Sequence, residues 1–225
     1  VPIAYGHPLY TRWYATTLAH NTVVVNQQSQ RTTSGELIHF STDAWGGQSA
    51  GRCDTAYRGV VLERWVILHE NVLADVFRCH AANASTFDYP LHFVGGFTNL
   101  PAAERSGPLG VEDGYDQLND VLRFTEPPSQ FTVRTGPLSH LDVRVLTPGH
   151  DTYIAQGFGA TPRDMTPMLI LRSRGTDAVF ATATQFLEDK QDPVEVAWDP
   201  AGAFIIGERR IPLEQWVAPA ETAVQ

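Results

Sequence analysis

The feature that most constrains this chain is its punctuation. Short apolar runs rich in Val, Ile, Phe and Tyr recur along the whole length, and Gly, Pro, Asn and Asp break them at close intervals. Such runs are too short and too β-branched for amphipathic helices and read as strands. Candidate strands are 22–25, 36–40, 59–68, 72–78, 89–94, 130–134, 141–146, 152–157, 168–172, 178–184, 194–198, 203–206 and 210–213. In V-E-V-A-W-D-P-A-G-A-F-I-I, Val194, Val196 and Trp198 alternate with Glu195 and Ala197 before a Pro–Gly turn, which predicts a hairpin with one face on a core. The acidic stretch Ala102 to Leu122, dotted with Gly and Pro, reads as a long surface loop with at most a helical turn. No linker, repeat period or low-complexity tract divides the chain. Many strands without alternating helices predict an all-β fold, a large antiparallel two-sheet β-sandwich, with residues 1–225 as a single domain.

Charge narrows the choice of partner. With 16 basic against 25 acidic residues the formal net charge is −9, so the overall field opposes nucleic acid and anionic membrane surfaces. No apolar run approaches the roughly 20 residues of a spanning helix. Lys190 is the single lysine, which leaves positive charge to arginine, whose planar fork suits carboxylates and sulfates. Cys53 and Cys79 are the two cysteines, too few and too far apart for a zinc–thiolate or C-x-x-C site; the sequence leaves open one disulfide or two free thiols. There is no phosphate-cradling glycine loop, no G-x-S-x-G elbow and no H-E-x-x-H.

The informative segment is Y-G-H-P-L-Y-T-R-W-Y-A-T-T-L-A-H-N-T-V-V-V-N-Q-Q-S-Q, in which His20 and Asn21 stand just before the β-branched run Thr22 to Val25. A tyrosine followed by glycine, an aromatic W-Y, then A-H-N-T and a valine strand resembles the heparinase II/III-like polysaccharide lyases, a family that includes oligoalginate lyases. Further on, G-E-L-I-H-F, A-Y-R-G-V-V-L-E-R-W-V-I-L, V-L-A-D-V-F-R, F-D-Y-P-L-H-F-V-G-G and P-M-L-I-L-R-S-R-G-T-D-A-V-F-A-T-A-T resemble successive strands of that family's C-terminal β-sheet domain.

The resemblance implies a polysaccharide lyase that cleaves a uronic-acid polymer, of alginate or heparin/heparan type, by β-elimination: a base takes the C5 proton and an acid protonates the leaving oxygen. Tyr5, placed before A-H-N-T and followed by glycine, matches the family's active-site tyrosine, with Tyr10 and Tyr14 as rival matches. His20 matches a histidine that binds a structural zinc ion. The family's other zinc ligands lie in an H-x-H-x-D segment and a D-P-G turn, neither of which occurs here. On this resemblance the chain is expected to be a fragment, the C-terminal part of a longer lyase. An N-terminal α/α toroid of that lyase, absent here, would complete the cleft, and the fragment alone would be inactive. The implied partner is an anionic polysaccharide or oligosaccharide, and the implied setting is periplasmic or secreted.

Asn21 and Thr22 are candidate supports for His20. His39, His69, His80 and His92 are candidates to complete a metal site with it. Asp88 and His92 are read as hydrogen-bonding across the sandwich, Arg12, Arg58 and Arg64 as possible partners of substrate carboxylates, and Trp13 as a sugar platform or a core residue. The competing function is a non-catalytic carbohydrate-binding or scaffold module.

Overall fold

A computed structural model describes residues 5–214 and Trp216. Its fifteen strands are β1 (Val24–Val25), β2 (Glu36–Asp43), β3 (Gly46–Cys53), β4 (Val60–His69), β5 (Val72–His92), β6 (Gly96–Thr98), β7 (Ala103–Arg105), β8 (Asn119–Phe124), β9 (Gln130–Gly136), β10 (Ser139–Val145), β11 (Asp151–Phe158), β12 (Met165–Glu188), β13 (Val196–Asp199), β14 (Ala203–Ile206) and β15 (Arg209–Pro212). Twelve form one antiparallel sheet, and β13–β14–β15 form a second, giving the all-β sandwich that the punctuation implies.

The sheet is organised by two long strands. β5 and β12, of 21 and 24 residues, pair with each other from His92↔Met168 to Val72↔Gln185, with a register shift between Gly175 and Asp177. Each serves different neighbours with its two halves. β12 pairs with β11 through its first half and with β10 through its second, and β5 pairs with β4 and then with β1. What the sequence divides at 72–78 and 89–94, and at 168–172 and 178–184, is therefore one strand each time. The polar stretches between the apolar runs continue the ladder because backbone hydrogen bonding is indifferent to side-chain polarity.

Alternation along these strands sorts the core into three clusters. Phe77, Cys79, Phe87, Tyr89, Leu91, Leu169, Leu171 and Phe180 face one another in the central cluster. Val72, Ala74, Val76, Ala181 and Ala183 point the other way and are covered by Phe204, Ile206 and Ile211 of the small sheet. Met168 and Ile170 also point outward and are covered by Trp13, Leu18 and Tyr115. Burial on both faces explains why these segments read as continuous apolar runs.

The stretch from Ala102 to Leu122 is not the surface loop its composition suggests. It carries β7, a 3₁₀ turn at Tyr115–Gln117 and the start of β8, and buries Leu109, Tyr115 and Val121. Tyr115 is drawn inward by a partner. Asp88 on β5 and Arg172 on β12 sit directly opposite each other, with Arg172 Nε 2.6 Å and Nη2 2.7 Å from the two carboxylate oxygens. The Tyr115 hydroxyl donates to the same carboxylate, and Arg172 Nη2 also donates to the Leu109 carbonyl at 3.2 Å. Asp88 is thus hydrogen-bonded, but to the adjacent strand and to the segment over the outer face of the same sheet rather than across the sandwich. Cys53 and Cys79 both register against Leu62 on the intervening β4, so a strand lies between them, and both thiols are free.

Truncating one member of a buried bidentate pair leaves the other charge without compensation. Arg172→Leu is expected to lower stability by about 3–5 kcal/mol, read as a lower denaturant midpoint. His150 sets a pH dependence. Its Nε2 is 2.9 Å from Thr147 Oγ1, its ring packs on Phe180, and burial lowers its pKa from 6.5 to about 4. The unfolded chain binds this proton near pH 6.5 and the folded chain only near 4. The contribution is therefore whole above pH 6.5 and is lost as pH falls towards 4, by at most about 1.4 kcal/mol per pH unit. His150→Gln should flatten that decline in thermal melts taken across the window.

Candidate functional site

The site forms where the segment from Tyr5 to Gln30 lies on the outer face of β5, β11 and β12. A π-helical turn, Tyr10–Tyr14, carries Trp13 inward, and a 3₁₀ turn, Thr17–Ala19, follows. The chain then becomes extended at His20 (φ −130°, ψ 154°) and enters β1, where Val24 and Val25 pair with Asp88 and Phe87. Trp13 is a core residue: it is 1% exposed, its Nε1 donates to the Phe158 carbonyl at 2.8 Å, and its ring meets His92 edge-on. Gly157 makes room for it, since a Cβ there would stand 2.3 Å from the indole.

Two hydrogen bonds define the states of two histidines. His20 Nε2 lies 3.1 Å from the Tyr14 carbonyl oxygen. That oxygen only accepts, so Nε2 carries a proton and Nδ1 is the nitrogen left for another partner. Asn21 Oδ1 lies 2.8 Å from the His92 backbone nitrogen and 2.9 Å from His92 Nδ1. An amide N–H only donates, which makes the asparagine atom an acceptor and places a proton on His92 Nδ1. His92 Nε2 is then an acceptor; it is enclosed and has no hydrogen-bond partner among the described residues. Burial is the main cause that lowers the His92 pKa to about 4, and the nearby His20 acts in the same direction.

Arg64 holds the same segment from the other side. Its Nη1 donates to the Asn21 carbonyl at 3.1 Å, while Nε and Nη2 grip Asp75 at 2.9 and 2.6 Å, and Tyr89 donates to Asp75 as well. Beside it, Thr22, Gln30, Ser49, Arg52, Arg64 and Phe77 line a hollow of about 360 Å³. Arg12, by contrast, is taken by Asp116 at 2.7 Å, and Arg58 is exposed.

Tyr5 is 83% exposed and packs edge-on against Tyr10, with ring centroids 4.9 Å apart. No hydrogen bond or ring contact joins it to His20. The Tyr14 hydroxyl is enclosed without a partner among the described residues, and desolvation and Asp164 raise its pKa. Of the four histidines considered as companions to His20, only His92 is tied to the same segment, through Asn21. His39 contacts Ser41 and Glu214, His69 packs on Trp45, and His80 pairs with Asp177. Among the described residues no group of three or more His, Cys, Asp or Glu side chains could hold a metal ion. The donor chemistry nevertheless fits part of a zinc site. His20 is exposed and has Nε2 tied to a carbonyl oxygen, the arrangement in which the other nitrogen of an imidazole binds zinc.

No family model matches the chain. An exo-oligoalginate lyase of Saccharophagus degradans is 33% identical over 135 residues, 51% of this chain and 18% of that protein. An alginate lyase of Stenotrophomonas maltophilia is 29% identical over 125 residues, 47% of this chain and 17% of that protein. Over part of its length the chain is similar to the heparinase and alginate lyases. The fold agrees: a heparinase III structure superposes with a TM-score of 0.65 at 12% identity, covering 94% of this chain and 32% of the other. The Pedobacter heparinus heparan sulfate lyase HepC gives 0.65 at 11%, covering 95% and 33%. The aligned parts thus span under a fifth of the two curated lyases and about a third of the structures.

Gly157→Ala is expected to expel or tilt Trp13 and to destabilise the chain by about 1–3 kcal/mol. A red-shifted tryptophan emission together with a lower melting temperature would register it.

Proposed function

We propose that this chain is the β-sandwich part of a polysaccharide lyase that cleaves a uronic-acid-containing polymer by β-elimination, with an oligoalginate as substrate. The observation that carries this is the 33% identity to an exo-oligoalginate lyase. It favours alginate over heparin or heparan sulfate because the likeness to the heparin-type enzymes is one of fold, at 11–12% identity.

In this reading Tyr5 is the acid that protonates the leaving oxygen, and its exposure leaves it open to substrate. His20 offers Nδ1 to a zinc ion whose remaining ligands come from the rest of a longer polypeptide, including an N-terminal toroid. Bound zinc would supply a structural cross-link there. The chain's own groups do the positioning: the Tyr14 carbonyl orients the His20 ring, and Arg64 anchors the backbone beside it. The 225 residues alone are inactive, and the enzyme works in the periplasm or outside the cell, where such polymers are met. The hollow of about 360 Å³ lined by Arg52 and Arg64 favours, as a second reading, a carbohydrate-binding or scaffold module.

The two readings part in one assay, which follows the ultraviolet absorbance of unsaturated uronate during incubation with oligoalginate. A longer polypeptide carrying this chain should turn over, and the 225-residue chain should not; silence from both would favour the binding module. In the active form, Tyr5→Phe should lower kcat by roughly 10²- to 10⁴-fold with metal content unchanged. His20→Ala should lower metal content and melting temperature along with activity. A Tyr5→Phe enzyme with normal kcat would transfer the role to Tyr10 or Tyr14.

A further inference from the structure

We propose that the hollow beside Arg64 is a subsite for a uronate residue, one that this chain possesses without help from the rest of a longer polypeptide. The proposal rests on the uronate reading of the substrate and gives it a place on the sheet. The hollow measures about 360 Å³, at the small end of ligand sites, and its walls combine apolar Leu37, Leu62 and Val66 with the polar groups of Thr22, Ser49 and Arg64. Arg64 is the group that selects the ligand. Its guanidinium lies over the Phe77 ring, 4.7 Å from the centroid, and Asp75 and Asn21 take an N–H from each of its nitrogens, so its plane and direction are set before anything binds. A guanidinium has more donors than these bonds use. With its side chain 35% exposed in the wall of the hollow, Arg64 keeps N–H groups for a carboxylate.

Gly51 keeps the space open. It stands in the interior of β3 directly opposite Arg64, so a side chain at this position would project into the hollow. Its φ is not positive, and a Cβ would meet only the Glu36 carbonyl oxygen at 3.5 Å, so neither backbone strain nor crowding calls for glycine. A strand glycine of this kind is found where a ligand approaches the backbone closely. The walls fit a hexuronate better than a simple anion. A pyranose chair offers a patch of C–H groups to the aliphatic wall, its carboxylate to Arg64 and its hydroxyls to Thr22 and Ser49. The Thr22 hydroxyl accepts from Gln30 at 3.3 Å and keeps its own proton to donate. Asp75 neutralises Arg64, so selection comes from directed N–H donation rather than from bulk charge, as it must in a chain of net charge −9. The hollow is also joined to the candidate site: Arg64 donates to the Asn21 carbonyl, and Thr22 in its wall follows closely after His20.

The test titrates the ¹⁵N-labelled 225-residue chain, by NMR and calorimetry, with a saturated mannuronate trisaccharide and with mannotriose, its carboxyl-reduced counterpart. The uronate should bind saturably and shift the backbone amides of Thr22, Ser49 and Gly51 together with the Arg64 Nε–H, and mannotriose should bind at least about tenfold more weakly. Gly51→Leu fills the hollow and should weaken uronate binding at least about tenfold, while the melting temperature holds or rises because glycine is a poor strand former. Arg64→Gln combined with Asp75→Asn removes both charges of the pair together and should abolish the preference for uronate over mannotriose; should that variant fail to fold, Gly51→Leu decides alone. Equal binding of the two sugars, no binding at millimolar concentration, or parental binding by Gly51→Leu would each overturn the inference. Turnover in the longer polypeptide decides the lyase reading separately. Turnover with a KM unchanged by Gly51→Leu would keep the lyase and remove the subsite, whereas uronate binding here beside a silent longer polypeptide would keep the subsite and remove the lyase.

Discussion

The buried pair between Asp88 and Arg172 is the interaction on which the rest of the architecture hangs. It joins the two longest strands at directly opposed positions, and its further hydrogen bonds reach out of the sheet to Tyr115 and Leu109. A desolvated carboxylate and guanidinium tolerate one another only when hydrogen bonds complete both groups. The intervening segment supplies them, and in doing so it is drawn over the sheet. Tyr115 then belongs to the same cluster as Trp13 and Leu18. The seating of the N-terminal segment, and with it the position of His20, thus depends on a salt bridge buried within the sandwich.

The same construction recurs at Asp75, which is gripped by Arg64 and receives the Tyr89 hydroxyl. One Asp–Arg–Tyr group secures the cover of the sheet and the other secures the backbone at Asn21. In both, arginine is the cation, and its planar fork grips both carboxylate oxygens and reaches a backbone carbonyl in addition. The near-absence of lysine is thus of a piece with how the interior polar groups are built.

Much of this was legible in the sequence, for reasons that differ from element to element. β-Branched runs and Gly/Pro breaks locate most of the strands, and the Trp198–Phe204 hairpin lies where the Pro–Gly turn puts it. β3, G-G-Q-S-A-G-R-C, escapes because its residues are small and polar; backbone pairing with β2 and β4 holds it, with Ala50 its one buried core residue. The burial of Tyr115 escapes because its partner lies 27 residues away on another strand. His20 stands out against the valine run that follows it. His92 is one of several strand histidines, and what singles it out is a contact with Asn21 across 71 residues, which pattern along the chain does not carry. The support given to Asn21 by Arg64 is hidden for the same reason.

Cys53 and Cys79 sit on either side of a strand, each aligned with Leu62, at a separation no S–S bond can bridge. The strands β3, β4 and β5 are therefore held without any covalent staple, and the sheet asks nothing of the redox poise under which it is made. Oxidants meet two very different sulfurs: the Cys79 thiol is fully buried and its ionisation suppressed by desolvation, whereas Cys53 is half-buried at the end of its strand, beside Thr55. Oxidative damage or alkylation would start at Cys53, at the edge of the hollow beside Arg64, and would leave the centre of the sandwich untouched.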